Sequence, residues 1–389
     1  MKHRKIAARK IFDGYRFRDN HVLILTENGS VEALVTQEEA GGDLEQFEGI
    51  LSPGFVNCHC HLELSHMKGR IPEMTGLVDF VFKVVSERGA TEEEILSAIG
   101  VAENEMKSNG IVAVGDICNN PLTLLQKKKG NLHYFNFIEA SGWLPAVSDL
   151  RFERAKAISE EYQSQLSEMA YCSIVPHAPY SVSENLWQAI QPYFAGKVVS
   201  IHNQETKFED EFFLHGTGDF TRMYELMKID NSHHVPTRRS SLQSYFTKLS
   251  IAEKVILVHN TFTKEEDIDY VNRQLPNSKP QTFFCLCVNA NQYIEDALPP
   301  IEMLRTKGCN IVLGTDSLAS NWSLNILDEI RAIRKNFPQV SLEEVLQWAT
   351  INGASALGMD AFLGSFEKGK KPGAVLLSEK NLRAEQIFS

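Results

Sequence analysis

The chain lacks the long apolar segments that membrane insertion or secretion requires. No run of about eighteen apolar residues occurs in the 389-residue sequence, so we predict no membrane-spanning helix. Residues 1–17 contain basic residues but no continuous apolar core of a secretory signal. Composition alone does not separate this stretch from a basic transit peptide, but it leads directly into a β-like run, and we interpret it as the first strand. We therefore expect a cytoplasmic protein with no membrane partner.

A disulfide framework and a basic surface are also missing. The seven cysteines are an odd number scattered through apolar runs, which is typical of free thiols in a reducing compartment. The formal net charge of −11 argues against nucleic acid or an anionic membrane as a partner. The charge says little about a small-molecule substrate, and the sequence leaves assembly into a homo-oligomer open.

An alternation of β-like runs and helical stretches fills the middle of the chain. Each run is rich in β-branched and aromatic residues and has a polar residue at its end. Helix starts are indicated by capping boxes at Thr91, Thr263 and Ser341, each with a glutamate three residues later. Eight such runs predict an α/β fold, a (β/α)8 TIM-like barrel, whose polar strand ends meet at one mouth. The runs cover residues 54–61, 110–118, 133–142, 170–180, 196–205, 254–262, 281–290 and 309–317.

The two ends of the chain are expected to form a small β domain. Residues 1–53 contain short β-like runs broken by Asp-Gly, Asn-Gly and Gly-Gly, which are typical of hairpins. Residues 359–389 contain glycine-rich turns and the short apolar run Ala374–Leu377, which indicates a returning strand. We therefore predict a β-sandwich built from both termini, with the metal-dependent barrel, residues 54–358, inserted between them. The long connection 206–253 is either a substrate lid or a solvated excursion with some helix of its own.

Two histidines end the first barrel run, within the sequence SPGFVNCHCHLELSH. Side chains alternate along a strand, so His59 and His61 point to the same face, about 6.6 Å apart along the backbone. Two such imidazoles are suited to binding Zn²⁺ or Fe²⁺, and the alternative is one surface histidine beside one hydrogen-bonded core histidine. Cys58 and Cys60 face the opposite side and are interpreted as packing residues.

Polar residues at the ends of later runs argue for the metal site. Each of them alone has an ordinary explanation, such as a core histidine or a helix N-cap. Histidines and an aspartate from five strand ends in one barrel mouth are typical of a metal-dependent catalytic site. The residues are His177 in VPHAPYS, His202 and Glu205 in SIHNQE, His259 in LVHN and Asp316 in LGTDS.

These residues carry a resemblance to a known family. The stretches PGFVNCHCHLE, PHAPYS, HNQE, LVHN, GTDSLASN and GSFEKGKKPG resemble motifs of the amidohydrolase superfamily and span nearly the whole chain. The similarity is to the branch of chlorohydrolases and ring deaminases, which includes guanine, cytosine and adenosine-type deaminases, and HCHLELS resembles aminodeoxyfutalosine deaminase. The resemblance implies a barrel with a small β domain. It also implies metal-dependent hydrolytic deamination of an aminated heterocycle, such as a purine, a pterin or a nucleoside-like compound.

The resemblance also implies a metal centre. Dinuclear relatives bridge two ions with a carboxylated lysine at the end of the fourth strand, whereas the fourth run here contains no lysine, so we expect one ion. Zn²⁺ is the expected ion and Fe²⁺ the alternative. The residues that match the family's ligand positions are His59, His61, His202 and Asp316.

Further roles follow from the same resemblance. Glu205 resembles the proton shuttle, His259 the group that orients the attacking water, and Asp316 would accept the second proton. His177 resembles a substrate contact. Other residues lie at or just beyond strand ends, where each is either a substrate contact or a packing residue. These are Glu63, Glu139, Trp143 and Asn291.

Two alternatives to deamination stay open. The same site would suit hydrolysis of a cyclic amide or of a C–Cl bond. The other alternative is a non-catalytic metal-binding scaffold, which would need neither Glu205 nor His259.

Two stretches depart from the family pattern. Relatives often carry Cys-Pro-x-Ser-Asn where residues 287–291 read Cys-Val-Asn-Ala-Asn, so the pocket wall formed by this stretch is expected to differ. Residues 372–374 read Pro-Gly-Ala where relatives often have an alanine-aspartate pair, which concerns the small domain.

Overall fold

The computed structural model describes residues 3–166, 171–275 and 280–388, so Ala170, which opens the fourth predicted run, lies outside the described residues. Within the described ranges each of the eight predicted runs contains one strand, β6 to β13. The strands are β1 (Arg4–Phe12), β2 (Phe17–Arg18), β3 (His21–Leu25), β4 (Val31–Thr36), β5 (Glu45–Pro53), β6 (Phe55–Cys60), β7 (Ile111–Cys118), β8 (His133–Ala140), β9 (Tyr171–Pro176), β10 (Val198–Asn203), β11 (Lys254–His259), β12 (Gln281–Leu286), β13 (Asn310–Leu313), β14 (Ala374–Leu377) and β15 (Ala384–Phe388).

Helices connect the central strands and follow the last of them. Amphipathic segments such as Ile326–Asn336 bury one face against the sheets and leave the charged face in solvent. None of the helices in the described part of the chain combines the length and apolarity needed to cross a bilayer. The α-helices are α1 (Gln37–Ala40), α2 (Leu77–Glu87), α3 (Glu92–Ser108), α4 (Leu124–Lys127), α5 (Ser148–Gln165), α6 (Glu184–Ile190), α7 (Lys207–His215), α8 (Phe220–Leu226), α9 (Ser241–Tyr245), α10 (Glu265–Arg273), α11 (Val288–Glu295), α12 (Ile301–Thr306), α13 (Ile326–Asn336), α14 (Leu342–Gln347) and α15 (Gly353–Ala356).

Two four-stranded parallel sheets form the centre of the molecule. Their strand orders are β6-β7-β8-β9 and β10-β11-β12-β13, so each strand pairs with its neighbour in the chain. Nearly every residue of these strands is buried, which explains why they read as continuous apolar runs rather than alternating ones. The architecture is therefore α/β with parallel sheets, as predicted.

Hydrogen bonds join the two sheets at the carboxyl ends of their outer strands. On one side, the amide of His202 donates to the carbonyl oxygen of His177 over 3.0 Å. On the other side, the amides of Thr315 and Asp316 both donate to the carbonyl oxygen of His59 over 3.0 Å. These contacts bring the ends of β9, β10, β13 and β6 together at one face of the molecule. The polar residues that end the strands consequently lie at that face.

Strands from both ends of the chain pair in one further sheet. Its order is β15-β14-β5-β1-β3-β4, with β2 paired to β1, and it contains seven strands. The predicted returning strand is β14, which pairs antiparallel with β5. Gly54 links this sheet to β6, and a Cβ at this position would lie 2.3 Å from Val112 Cγ1 and 2.7 Å from the Pro372 carbonyl oxygen. The Pro372-Gly373 stretch, where the sequence departs from its relatives, thus packs at the junction.

The predicted helix starts are correct at Thr91 and Ser341 and wrong at Thr263. The hydroxyl oxygens of Thr91 and Ser341 accept the backbone N–H three residues later, over 3.3 Å and 3.1 Å. Helix α10 instead begins at Glu265, after Lys264 as N-cap. The Thr263 hydroxyl instead donates to the side-chain oxygen of Gln204 over 2.7 Å and accepts from the Asn203 amide over 3.4 Å. Thr263 therefore makes tertiary contacts in place of a helix cap.

The long connection 206–253 contains three α-helices, α7, α8 and α9. Phe212 and Phe220 are fully buried in a cluster that also contains Tyr180 and residues of α2. Arg222 of α8 forms a bidentate ion pair with Asp79 of α2, with N–O distances of 2.9 Å and 3.1 Å. The insertion is thus packed against α2, the first α-helix after β6.

Candidate active site

Three histidine nitrogens converge at the carboxyl ends of β6 and β10. The Nε2 atom of His61 lies 3.2 Å from Nε2 of His59 and 3.3 Å from Nε2 of His202. The three side chains are buried, and their ligand atoms all lie within 4.8 Å of one another. A tetrahedral ion with ligands at about 2.0–2.1 Å would place neighbouring ligand atoms about 3.3 Å apart. The observed spacing therefore fits a divalent metal ion held between the rings.

The protonation of these rings also suits ligation. Nδ1 of His202 lies 2.7 Å from the carbonyl oxygen of His177, which places the proton on Nδ1 and leaves Nε2 free to bind a metal. Burial lowers the pKa of His61 to about 3 and the pKa of His202 well below 6.5. A metal ligand must be a neutral imidazole, so burial keeps these rings in the required form.

Asp316 approaches the same centre from the end of β13. Its Oδ1 atom lies 3.6 Å from Nε2 of His59 and 3.4 Å from Nε2 of His61. Its other oxygen, Oδ2, accepts a hydrogen bond from the Ser320 hydroxyl over 2.6 Å. The carboxylate is thereby held with one oxygen toward the histidines. Ser320 was not singled out from the sequence, although it lies within the GTDSLASN stretch that resembles the family motif.

Glu205 and His259 lie next to each other beside this cluster. The distance from Glu205 Oε1 to His259 Nε2 is 3.6 Å, and both side chains are buried. Nδ1 of His259 donates to Oδ1 of Asn291 over 2.9 Å, so Asn291 holds the ring and leaves Nε2 directed away from it. Burial raises the pKa of Glu205 well above 4.5, and nearby carboxylates add to the effect. Burial therefore favours the protonated form of this carboxyl group more than solvent does.

The strand ends that carry these residues adopt an unusual backbone conformation. Gln204, His259, Asn260 and Asp316 have φ angles of 44°, 73°, 57° and 57°, in the left-handed region that non-glycine residues rarely occupy. Such conformations cost free energy and persist only where surrounding contacts enforce them. Their concentration at these three strand ends is consistent with a functional requirement on side-chain direction.

His177 and Glu139 lie at the edge of the histidine cluster. Together with His202 they offer ligand atoms within 4.8 Å of one another. Nδ1 of His177 hydrogen-bonds the Ser181 hydroxyl over 2.7 Å, which orients the ring. Glu139 Oε1 lies 3.5 Å from Nδ1 of His202, while Oε2 accepts from the Asn119 amide over 3.0 Å. The two residues are therefore placed where a bound molecule at the cluster would meet them.

Glu63 and Trp143 are held by other groups. Glu63 Oε2 accepts from the backbone N–H of Asn119 over 3.0 Å and from the Asn120 amide over 2.7 Å. Trp143 packs against the insertion, where its ring stacks on Tyr224 at 5.3 Å and its Nε1–H donates to a side chain of the same segment. The structure thus brings Glu139 and His177 to the cluster and places Trp143 against the helices of the connection 206–253.

A buried ion pair braces the strand that carries the first two histidines. Asp116 Oδ1 accepts from the backbone N–H of Leu62 over 2.8 Å, immediately after His61, and Asp116 Oδ2 lies 2.6 Å from Lys127 Nζ. Both charged side chains are almost completely buried. The sequence patterns did not identify this pair because its partners lie on β7 and α4 and meet only in the folded chain.

Replacing Asp116 with asparagine should destabilise the protein by about 3–5 kcal/mol, because Lys127 would keep a buried charge without its partner. The free energy of unfolding in urea measures this effect. The double variant Asp116→Asn with Lys127→Met should be more stable than Asp116→Asn alone, because it removes the uncompensated charge. A single variant as stable as the wild type would show that the pair does not brace the strand.

Comparisons with known proteins find similar deaminases and a similar fold. An adenosine deaminase from Helicobacter pylori is 25% identical over 327 residues, which cover 83% of this chain and 77% of that protein. A 5-methylthioadenosine/S-adenosylhomocysteine deaminase from Teredinibacter turnerae is 26% identical over 358 residues, covering 87% of this chain and 74% of that protein. The crystal structure of Helicobacter pylori aminofutalosine deaminase in complex with methylthio-coformycin has a similar fold, with a TM-score of 0.84 and 21% identity over 99% of this chain and 98% of that one.

The family assignment rests on a match over most of the chain. The model of the amidohydrolase family matches residues 50–388, which include all the strands that carry the site. This match confirms the resemblance predicted from the strand-end motifs. The protein belongs to the amidohydrolase family.

Proposed function

We propose that this protein is a metal-dependent hydrolytic deaminase of an aminated heterocycle, with a purine nucleoside-like compound as the preferred substrate class. The observation that carries the proposal is the Glu205 carboxyl 3.6 Å from His259 Nε2, directly beside a three-histidine cluster. A site that only stored a metal ion would need no buried acid and base next to the ligands. The deaminases among the similar proteins support the same reaction.

In this proposal His59, His61, His202 and Asp316 hold one divalent ion, Zn²⁺ by the chemistry of the donor set. The ion would act as a Lewis acid and lower the pKa of a water molecule from 15.7 to about 7. Mononuclear binding agrees with the absence of lysine from the described part of the fourth run, residues 171–180.

The protein groups then divide the proton transfers between them. Glu205 takes a proton from the attacking water and delivers it to a ring nitrogen of the substrate, while His259 orients that water. Attack occurs at the carbon that bears the amino group, and Asp316 accepts the second water proton. Return of that proton to the amino group releases ammonia and leaves a carbonyl on the ring. The overall balance is substrate amine plus water to ring carbonyl plus ammonia.

Ammonia release from metal-loaded protein tests the proposal. The panel contains adenine, guanine, adenosine, 5-methylthioadenosine, S-adenosylhomocysteine and an aminated pterin. We expect release from the purine nucleosides, and release from none of the compounds by protein of confirmed metal content would overturn the proposal. Hydrolysis of a cyclic amide or of a C–Cl bond is the second candidate, because the same ligands and the same acid would serve it, and it releases no ammonia.

Glu139 and His177 are proposed to contact the part of the substrate outside the reacting ring. Glu139→Ala should raise KM for a nucleoside roughly tenfold, because a hydrogen bond to a sugar hydroxyl would be lost. The free base has no sugar, so its KM should change much less in the same variant. Steady-state kinetics on the matched pair measure the difference. An equal change in KM for both compounds would contradict a sugar contact.

We also propose that the two parallel sheets close into one eight-stranded barrel, residues 54–358, and that residues 1–53 and 359–389 form a β-sandwich domain. The hydrogen bonds between the ends of β9 and β10 and between β6 and the end of β13 support closure. Strands from both termini share one sheet, which supports a common terminal domain. All seven cysteines are free, and this is consistent with a reducing compartment such as the cytoplasm.

A further inference from the structure

We propose that Glu209 and Gln204 are positioning residues that hold the turn carrying Glu205 and connect it to the insertion 206–253; this proposal rests on the deaminase function above, in which Glu205 moves the protons. The turn follows β10, and its direction decides where the Glu205 carboxyl lies relative to His259.

Glu209 binds the backbone of this turn directly. Its Oε1 atom accepts the N–H of Gln204 over 2.9 Å, and its Oε2 atom accepts the N–H of Glu205 over 3.3 Å. Glu209 is fully buried at the start of α7. One carboxylate thus spans two consecutive backbone amides, including the amide of Glu205 itself. The backbone at Gln204, with a φ of 44°, needs such external support because this conformation is unfavourable for a residue with a side chain.

The side chain of Gln204 fixes the turn from the other side. Its Nε2 donates to Asp210 Oδ1 over 3.0 Å and to Asp267 Oδ2 over 2.8 Å, and its Oε1 accepts from the Thr263 hydroxyl over 2.7 Å. Gln204 is completely buried. Both of its amide protons and its amide oxygen nevertheless have hydrogen-bond partners within the protein.

A second helix of the insertion, α9, contributes to the same network through its start. The Ser241 hydroxyl donates to Glu209 Oε1 over 2.6 Å, and the Ser241 backbone N–H donates to Asp210 Oδ1 over 2.9 Å. The hydroxyl of Ser240 donates to Asp267 Oδ1. Each carboxylate that holds the turn therefore also holds α9, so a displacement of the insertion would be transmitted to Glu205 through shared hydrogen bonds.

The buried charges of this network argue against a purely structural role. Glu209, Asp210 and Asp267 are all buried, and among the described residues the cation that pairs with them is Lys264, whose Nζ lies 3.0 Å from Asp210 Oδ2. Burying carboxylates this close together is unfavourable unless donors surround them. The donors here are the backbone N–H groups of Gln204 and Glu205, the side-chain amide of Gln204 and the serines at the start of α9. The network thus concentrates its hydrogen bonds on the position of Glu205.

Glu209→Gln tests the proposal because the variant keeps the shape of the side chain but replaces one acceptor oxygen with a donor. Its NH₂ group would face the N–H of Glu205 or of Gln204, and one contact would be lost. Glu211→Gln is the matched control, since Glu211 lies on the same helix, is exposed and binds only the Thr217 hydroxyl in the described contacts. Ser241→Ala is a milder second variant that removes one donor to Glu209 from the insertion.

Three quantities are measured for each variant: kcat and KM for ammonia release, metal content, and hydrogen exchange of the peptide covering residues 203–206. Glu209→Gln should lower kcat on the order of 10- to 100-fold, because small displacements of a catalytic group have effects of this size. KM and metal content should stay close to wild type, and exchange of the 203–206 amides should be faster. Ser241→Ala should show the same changes to a smaller extent, and Glu211→Gln should match the wild type.

Wild-type kcat together with wild-type exchange in Glu209→Gln would overturn the proposal, as would a loss of kcat that follows a loss of metal. If Glu209→Gln does not fold, the same comparison between Ser241→Ala and Glu211→Gln decides. If the wild type releases no ammonia from any compound, the proposed function fails, and the exchange data still decide whether Glu209 holds the turn. Failure of the function and failure of the positioning role therefore give different results.

Discussion

Glu205→Gln should lower kcat for deamination by roughly 10²- to 10⁴-fold, the range expected for removal of a positioned acid–base group. Glutamine occupies nearly the same volume, so the buried neighbours of Glu205 should stay in place. The amide cannot take a proton from water and pass it to a ring nitrogen. Steady-state kinetics of ammonia release measure the effect on the substrate identified from the panel.

Two controls make the Glu205 result specific. Metal content and the melting temperature should be those of the wild type, because Glu205 is not among the proposed ligands. Glu205→Asp shortens the side chain but keeps the carboxyl, and it should retain more activity than Glu205→Gln. A Glu205→Gln protein with wild-type turnover would exclude the proposed proton shuttle.

His61→Ala should abolish tight metal binding and, with it, turnover. Nε2 of His61 lies between the Nε2 atoms of His59 and His202, at 3.2 Å and 3.3 Å, so its removal opens the centre of the cluster. The wild type should bind one Zn²⁺ per chain, and saturation at 100 times Kd should stabilise it by about 2.7 kcal/mol. Metal analysis of the variant should find no bound Zn²⁺. Thermal unfolding of the variant with and without added Zn²⁺ should show no stabilisation.

His66→Ala is the matched control for this experiment. His66 lies five residues further along the chain, and its Nε2 bonds the Arg88 carbonyl oxygen over 2.9 Å, away from the cluster. It should bind metal and turn over like the wild type. Two ions per wild-type chain would contradict the mononuclear centre, and unchanged metal binding by His61→Ala would exclude the proposed ligand set.

The strand positions could be predicted from sequence because they depend on local patterns. Apolar, β-branched runs with a polar residue at the end identified β6 to β13, and period-two alternation placed His59 and His61 on one face. In parallel sheets the carboxyl ends of strands lie at the same edge. The convergence of His202, Glu205 and His259 on that edge was therefore predictable before any distance was known.

Other features depend on contacts between distant segments. The pairing of β14 with β5 joins residues more than three hundred positions apart in the chain, and Thr263, predicted as a helix cap, instead binds Gln204, 59 positions away. Trp143, which the sequence left open as a substrate contact or a packing residue, stacks on Tyr224 of the insertion. No local periodicity of the sequence encodes such contacts, because they depend on which surfaces meet once the chain has folded.

The residues that we propose to carry the chemistry were readable from the chain alone, since motifs and strand periodicity involve only a few neighbouring residues. The direction of those side chains was decided by the tertiary structure. Left-handed backbone at Gln204, His259 and Asp316 is unfavourable in isolation. Hydrogen bonds from distant residues hold two of these side chains, since Asp267 binds the Gln204 amide from 63 positions away and Asn291 binds the His259 ring from 32 positions away. A local sequence pattern can supply an acid, a base and ligands, but only the packed fold can hold them a few ångströms apart.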